Sequence, residues 1–227
     1  MTVIKQYKSS LMILMLHLLA VLYFAFSLES NAMIPTHWNI NGEVDAYMGK
    51  WQGLIQFYLI NLSIFVFFIV FPYISPGYRI KQERYQKILP SLLLVLVLFF
   101  ALIHVFSLIY ALNQAIFASF NPIIILVGIL IMFTGNLMPK TPQNFFIGIK
   151  TPWTLSSEEI WIKTHRFGGK CLVLAGLILA GTGIIPDKHH YRMIMSAVCL
   201  ILFILPVIYS LVLYLQKKSI KQNKESL

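Results

Sequence analysis

Six apolar runs divide the chain, at residues 11–28, 54–74, 89–112, 122–138, 171–185 and 193–215, and none contains Asp, Glu, Lys or Arg. A helix crossing a bilayer core needs about 20 apolar residues, with roughly 17–25 the usual range. The fifth run is short and is expected to extend back through 167–170. Irregular backbone cannot face lipid, so the pattern predicts an all-α polytopic membrane bundle of six transmembrane helices. The longest polar segments, 29–53 and 139–170, are too short for cores of their own. Any recognition or chemistry must come from these segments leaning on the bundle.

The basic residues orient the bundle. Segments 1–10, 75–88, 139–170 and 216–227 hold 15 of the 18 Lys and Arg, while the intervening 29–53, 113–121 and 186–192 hold 3. The eight acidic residues divide equally between the two sets. By the positive-inside rule the N-terminus and C-terminus are both expected in the cytoplasm. Lys5, Lys8, Ser30 and Ala32 give the first run some features of a cleaved signal peptide. Its apolar core is long for one, and cleavage would spoil the charge pattern, so a retained anchor is expected. The basic tail after Leu215 reads as a topological anchor at the lipid surface.

Composition agrees with the pattern. Apolar residues make up 58% and charged residues 11% of 227, against about half and about a quarter in soluble domains. Disorder and a disulfide-stapled module are excluded, and the two cysteines define no framework. The net charge of +10 marks one membrane face and predicts no direct nucleic-acid binding. The bilayer itself is the first partner.

Segment 139–170 is the densest in motifs. Pro139 and Pro142 end the fourth span. Ser156 with Glu159 three residues on reads as a capping box, with Leu155 and Ile160 as its staple. These predict a short interfacial cytoplasmic helix near 156–167, with Trp153 and Trp161 at headgroup level and Gly168-Gly169 as its stop. Asn136, Asn144, Gly148, Thr151, Thr154, Thr164 and His165 crowd the same region. On composition they serve either a buried turn or a binding surface.

Segment 29–53 is acidic (Glu29, Glu43, Asp45) and aromatic (Trp38, Tyr47, Trp51), with Asn41-Gly42 as a turn pair. Either this face meets a cationic or amphipathic peptide from outside, or its tryptophans belong to an aromatic belt and Asn-Gly only makes a turn.

The string from Gly135-Asn136 through Pro139-Lys140, Asn144 and Gly148 to Lys150-Thr151-Pro152-Trp153-Thr154, Trp161, Thr164-His165-Arg166 and Gly168-Gly169 resembles the signature of the SdpI family of bacterial membrane proteins. Ile34-Pro35, His37-Trp38-Asn39, Asn41-Gly42-Glu43 and Asp45 resemble that family's N-terminal module of unknown function. The resemblance implies two domains, 1–75 with the first two spans and 76–227 with the other four, in a multi-pass plasma-membrane protein. It implies immunity to a secreted membrane-active peptide toxin, and a receptor role that holds a transcriptional repressor at the membrane. His37, Trp38, Asn39, Gly42, Glu43 and Asp45 would face the toxin. Asn136, Pro139, Asn144, Gly148, Lys150, Thr151, Pro152, Trp153, Thr154, Trp161, Thr164, His165 and Arg166 would form the partner-binding or structural motif. Lys150 stands where the family commonly has Arg, which keeps the charge and loses a planar fork.

No enzyme is expected: there is no nucleophile elbow, phosphate-cradling loop or paired-carboxylate motif, and no cofactor is implied. Intramembrane His17 and His104 are functional candidates by default, although no carboxylate sits in a span to orient them. Asp187, His189 and His190 lack the i, i+4 spacing of a helical zinc pair, so no metal site is expected. Cys171 and Cys199 read as packing residues, and Gly176 with Ala180 as a close helix contact. A small-solute or peptide transporter or exporter, with only His17, Asn61, Ser63, His104, Ser107, Thr134 and Asn136 as polar pathway material in the spans, is the alternative. An intramembrane lipid- or peptide-modifying enzyme is the second.

Overall fold

The computed structural model describes residues 6–39, 42–75, 78–113, 116, 120–185 and 191–225. Its elements run α1 (Lys8–Ser27), β1 (Met33–Trp38), β2 (Val44–Gly49), α2 (Lys50–Ile74), α3 (Gln82–Leu112), α4 (Pro122–Leu137), α5 (Pro152–Ser156), α6 (Glu158–Ile184), α7 (Tyr191–Cys199) and α8 (Leu205–Glu225). A 3-10 turn, Met138–Lys140, continues α4, and a π-helical turn, Leu200–Ile204, links α7 to α8. Six helical stretches among the described residues are long and apolar enough to cross a membrane. Each contains one of the expected runs, or all but its last residues. Their outer faces are apolar and exposed, with Phe26 at 90% and Phe203 at 68%. Such faces suit hydrocarbon, which is no worse a solvent for them than a protein interior.

Helices α1, α2 and α3 form one packed unit. Near one end Tyr7, Leu14, Phe68, Phe71, Tyr85 and Leu93 meet, and near the other Phe24, Leu28, Leu54 and Leu108 surround Ile34 of β1. Helices α4 and α6 make the most extensive helix pairing, and it is built on glycine. Gly128 of α4 lies against Gly176 and Ala180 of α6, Gly135 against Gly169, and the Asn121 carbonyl against Gly183. A Cβ on Gly128 would sit 2.5 Å from the Ala180 nitrogen, and one on Gly176 would sit 2.5 Å from the Gly128 carbonyl oxygen. Small residues let the two backbones touch. The seven-residue spacing keeps every contact on one face.

The segments carrying the basic excess converge at one end. Gln6 Nε2 donates to the Gln86 carbonyl, Lys81 Nζ to that of Gln143, Arg84 pairs with Glu158 at 3.2 Å, and Lys217 with Glu159 at 3.2 Å. The β1–β2 hairpin closes the opposite end.

Two local expectations are corrected. Residues 156–167 are not a separate interfacial helix: from Glu158 they are the first turns of α6, which runs unbroken through Gly168 and Gly169 to Ile184. Those glycines do not stop the helix; Gly169 admits the α4 backbone, and Gly168 faces Ile149. The cap is Ser157, whose hydroxyl accepts from the Ile160 N–H, whereas Ser156 Oγ donates to the Trp153 carbonyl. The capping box belongs to Thr151 and Thr154 and opens the one-turn helix α5, with Pro152 at its first position. The hairpin also adds two strands to an otherwise helical chain.

Candidate functional site

The polar motif folds as an endpiece over α3, α6 and α8. Asn144 is its staple. Its side-chain oxygen accepts from the N–H groups of Phe146 and Ile147, both at 2.7 Å, and its amide donates to the carbonyls of Pro142 and Ile147 at 2.7 and 3.0 Å. A side chain that satisfies four backbone groups fixes a turn that has no ladder of its own. Gln143 Nε2 donates at 2.8 Å to the carbonyls of Thr154 and Leu155, closing the last turn of α5. Lys150 Nζ donates to the carbonyls of Phe145 and Phe146, contacts that a point charge makes without a guanidinium fork.

Beneath this turn, Trp161 is fully buried. Its ring nitrogen donates to the Thr141 carbonyl at 2.8 Å, and its ring stacks on His165 at 3.9 Å between centroids. The expected headgroup anchor is thus an interior post. His165 Nδ1 lies 2.8 Å from the Trp161 carbonyl, and Nε2 accepts the Ile149 N–H at 3.1 Å. One nitrogen donates and the other accepts, which requires a neutral imidazole with both positions occupied by backbone. Gly148, at φ +124°, passes over these rings, and a Cβ there would stand 3.0 Å from Trp161. Thr164 is buried, and its hydroxyl has no partner among the described residues. Trp153 keeps an edge toward the surface, donating to Ser210 Oγ at 2.6 Å and stacking with Tyr214. Pro139 packs on Gly169. Asn136 and Arg166 are exposed at the end of the α4–α6 pair.

The opposite site is the hairpin. His37 Nδ1 lies 2.5 Å from an Asp45 carboxylate oxygen across the strands. The Asn39 N–H donates to the Glu43 carbonyl at 2.8 Å, the Glu43 N–H returns to Asn39 Oδ1 at 3.0 Å, and Gly42 takes φ +73°. Trp38 opposes Val44, with a register irregularity between Pro35 and Trp38. Asn41 lies outside the described residues, as do Asp187, His189 and His190. The hairpin is tied down at three points. Ser107 of α3 donates to the Pro35 carbonyl, Asn121 Nδ2 donates to the Gly42 carbonyl at 2.8 Å, and Ile34 is wholly buried against Gly53. Lys50 Nζ donates to the Leu28 carbonyl at 2.7 Å, a cation at the negative end of α1.

Between the two ends, His17 and His104 do meet, and Asn61 joins them. Asn61 Nδ2 donates to the Val97 carbonyl and to His17 Nδ1 at 3.1 and 3.0 Å, and His17 Nε2 lies 2.8 Å from His104 Nδ1. The donor direction from Asn61 makes both histidines Nε2–H tautomers. Three helices are thereby joined through one chain of hydrogen bonds. No group of three metal-ligating side chains occurs among the described residues.

Sequence reasoning missed Gln143 and Thr141, whose roles depend on which carbonyl the fold brings to them. It also missed the glycine register. That signal was present, since Gly128 and Gly135, and Gly169, Gly176 and Gly183, each recur at intervals of seven.

Six apolar helices, closed at one end by a polar endpiece and at the other by a hairpin, define a multi-pass helical membrane protein. Residues 140–210 match the family described as the SdpI/YfhL protein family, and residues 11–62 match a domain of unknown function (DUF1648). Residues 140–210 of this multi-pass membrane protein are thus similar to the SdpI/YfhL family. It is 46% identical over 54 residues to "Immunity protein SdpI" of Bacillus subtilis (strain 168), which is 24% of this chain and 26% of that protein. It is 28% identical over 86 residues to "Uncharacterized protein YfhL" of the same strain, 37% of this chain and 74% of that protein. The chain thus spans about a quarter of the immunity protein it matches. No solved structure matches it significantly.

Proposed function

We propose that the chain is a membrane immunity protein against a secreted membrane-active peptide, with the hairpin outside and the basic endpiece in the cytoplasm. The observation that carries this reading is the 46% identity to an immunity protein, together with the family region that includes most of the endpiece. The geometry supplies a route between the ends. The hairpin holds α3 through Ser107 and α4 through Asn121. Helix α3 reaches the endpiece through Lys81 and Arg84, and α4 reaches it through α6. A peptide that favours one packing of the hairpin would bias those helices, and a cytoplasmic repressor reading the endpiece would sense the bias.

The transporter reading gains less support. Ser63 and Thr134 hydroxyls donate within their own helices, and Asn61 bonds His17. These hydroxyls and the Asn61 amide group are thus engaged with protein, although Asn61 Oδ1 and His104 Nε2 have no partner among the described residues. Deleting the gene from its own cell tests the proposal. Sensitivity to a secreted membrane-active peptide should rise; unchanged sensitivity across candidate peptides would refute immunity.

A further inference from the structure

A basic pocket of about 330 Å³ opens at the endpiece face between α3, the Met138–Lys140 turn and α6. Arg84, Lys87, Lys140 and Arg166 line it, with Glu158 as the single carboxylate. Arg84 and Glu158 pair at 3.2 Å, which leaves Lys87, Lys140 and Arg166 uncompensated. None of these three makes an ion pair or hydrogen bond among the described residues. Pro139 and Arg166 also border a second concavity of about 480 Å³, which runs down the α4–α6 seam past Gly135 and Gly169 to Val173, Leu174 and Leu177. Its lower wall is apolar and belongs to a membrane-spanning helix. Leu174 and Leu177 are more than half exposed, so this groove faces hydrocarbon while its mouth faces the cations. Lys170 stands at the same mouth.

We propose that this continuous surface binds an anionic glycerophospholipid, with its phosphate among Lys87, Lys140 and Arg166 and one acyl chain along the α4–α6 groove. Gly135 and Gly169, which let α4 and α6 touch, also line the seam the chain would fill. Charge selects the headgroup, since basic pockets between membrane helices on the positive face suit anionic lipid phosphates. Arg166 can offer two parallel N–H groups to one phosphate, whereas the lysines act as point charges. The apolar continuation distinguishes a lipid from a soluble anion: a free phosphate would occupy only the upper pocket. The site touches α3, the α4 turn and α6 together, so an occupied site would brace the endpiece against the bundle.

The test uses the full chain in detergent micelles, titrated with phosphatidylglycerol, with phosphatidylcholine and with inorganic phosphate. Native mass spectrometry reads retained lipid, and thermal unfolding reads stabilisation. Phosphatidylglycerol should be retained and raise Tm, and phosphatidylcholine should do neither. Arg166→Gln with Lys140→Gln should weaken phosphatidylglycerol binding about tenfold, while Lys163→Gln, exposed and outside both concavities, leaves it unchanged. Leu177→Trp, which fills the groove, should weaken lipid binding without altering any effect of phosphate. Equal retention of the two lipids, or binding indifferent to the Arg166 and Lys140 changes, would overturn the proposal. So would inorganic phosphate reproducing the whole stabilisation. The comparison of lipids on the unaltered chain needs no variant to fold.

Discussion

Gly148 is where the endpiece depends most on a single residue. Its φ of +124° is costly for any L side chain, and a Cβ would meet Trp161 and His165. Gly148→Ala should therefore cost about 2 kcal/mol or more, read as a lowered unfolding midpoint in detergent. The buried polar chain makes a smaller prediction. Asn61→Ala removes donors to His17 Nδ1 and the Val97 carbonyl. Hydrogen bonds between membrane helices average about 0.6 kcal/mol and reach about 1.7, so a loss of about 1 kcal/mol is expected in the same assay. At this scale the sequence was partly legible. Asn144, Thr151, Thr154 and His165 stood out as polar residues crowding one segment, and all four prove to satisfy backbone. That His165 serves Ile149, and Gln143 serves α5, depends on contacts made by folding, which no local pattern encodes. Trp161 misled for the same reason: an aromatic near a membrane end suits the headgroup belt, and only the turn over it shows that it is interior.

Among the elements, α4 and α6 carry the sharpest test. Gly176→Ala would drive a Cβ into the Gly128 carbonyl and Met132, while a Cβ at Gly181 meets nothing within 4 Å. The first substitution should lower stability by about 1–3 kcal/mol. The second should be neutral or stabilise by a few tenths, since alanine is the better helix former. Thermal unfolding of the two variants side by side separates packing from propensity. The apolar runs located every span because length and the absence of charge decide that question. They could not reveal that α6 begins at Glu158, because its first turns carry enough charge to read as surface. The Gly168-Gly169 pair marks a stop in water-exposed helices and a close approach in packed membrane ones, and the partner helix decides between them. The hairpin was foreshadowed by Asn41-Gly42, but its pairing with α3 and α4 was not.

For the whole molecule, the charge pattern and the fold agree on two distinct ends. The basic segments converge where Arg84, Glu158, Glu159 and Lys217 meet, and the acidic hairpin lies at the other end. Changes at the ends should therefore have separable effects. Asp45→Asn together with His37→Ala should reduce resistance to the peptide severalfold with little loss of protein from the membrane, because neither side chain is buried. Exposed endpiece changes such as Lys150→Ala should spare resistance and alter any induced gene expression, measured with a reporter. The most direct measurement is survival of Bacillus subtilis cells lacking their own SdpI immunity protein, made to express this chain and exposed to the peptide to which those cells have become sensitive. The account predicts that cells expressing the chain survive peptide that kills empty-vector cells. Equal killing of both, with the chain present in the membrane, would contradict it.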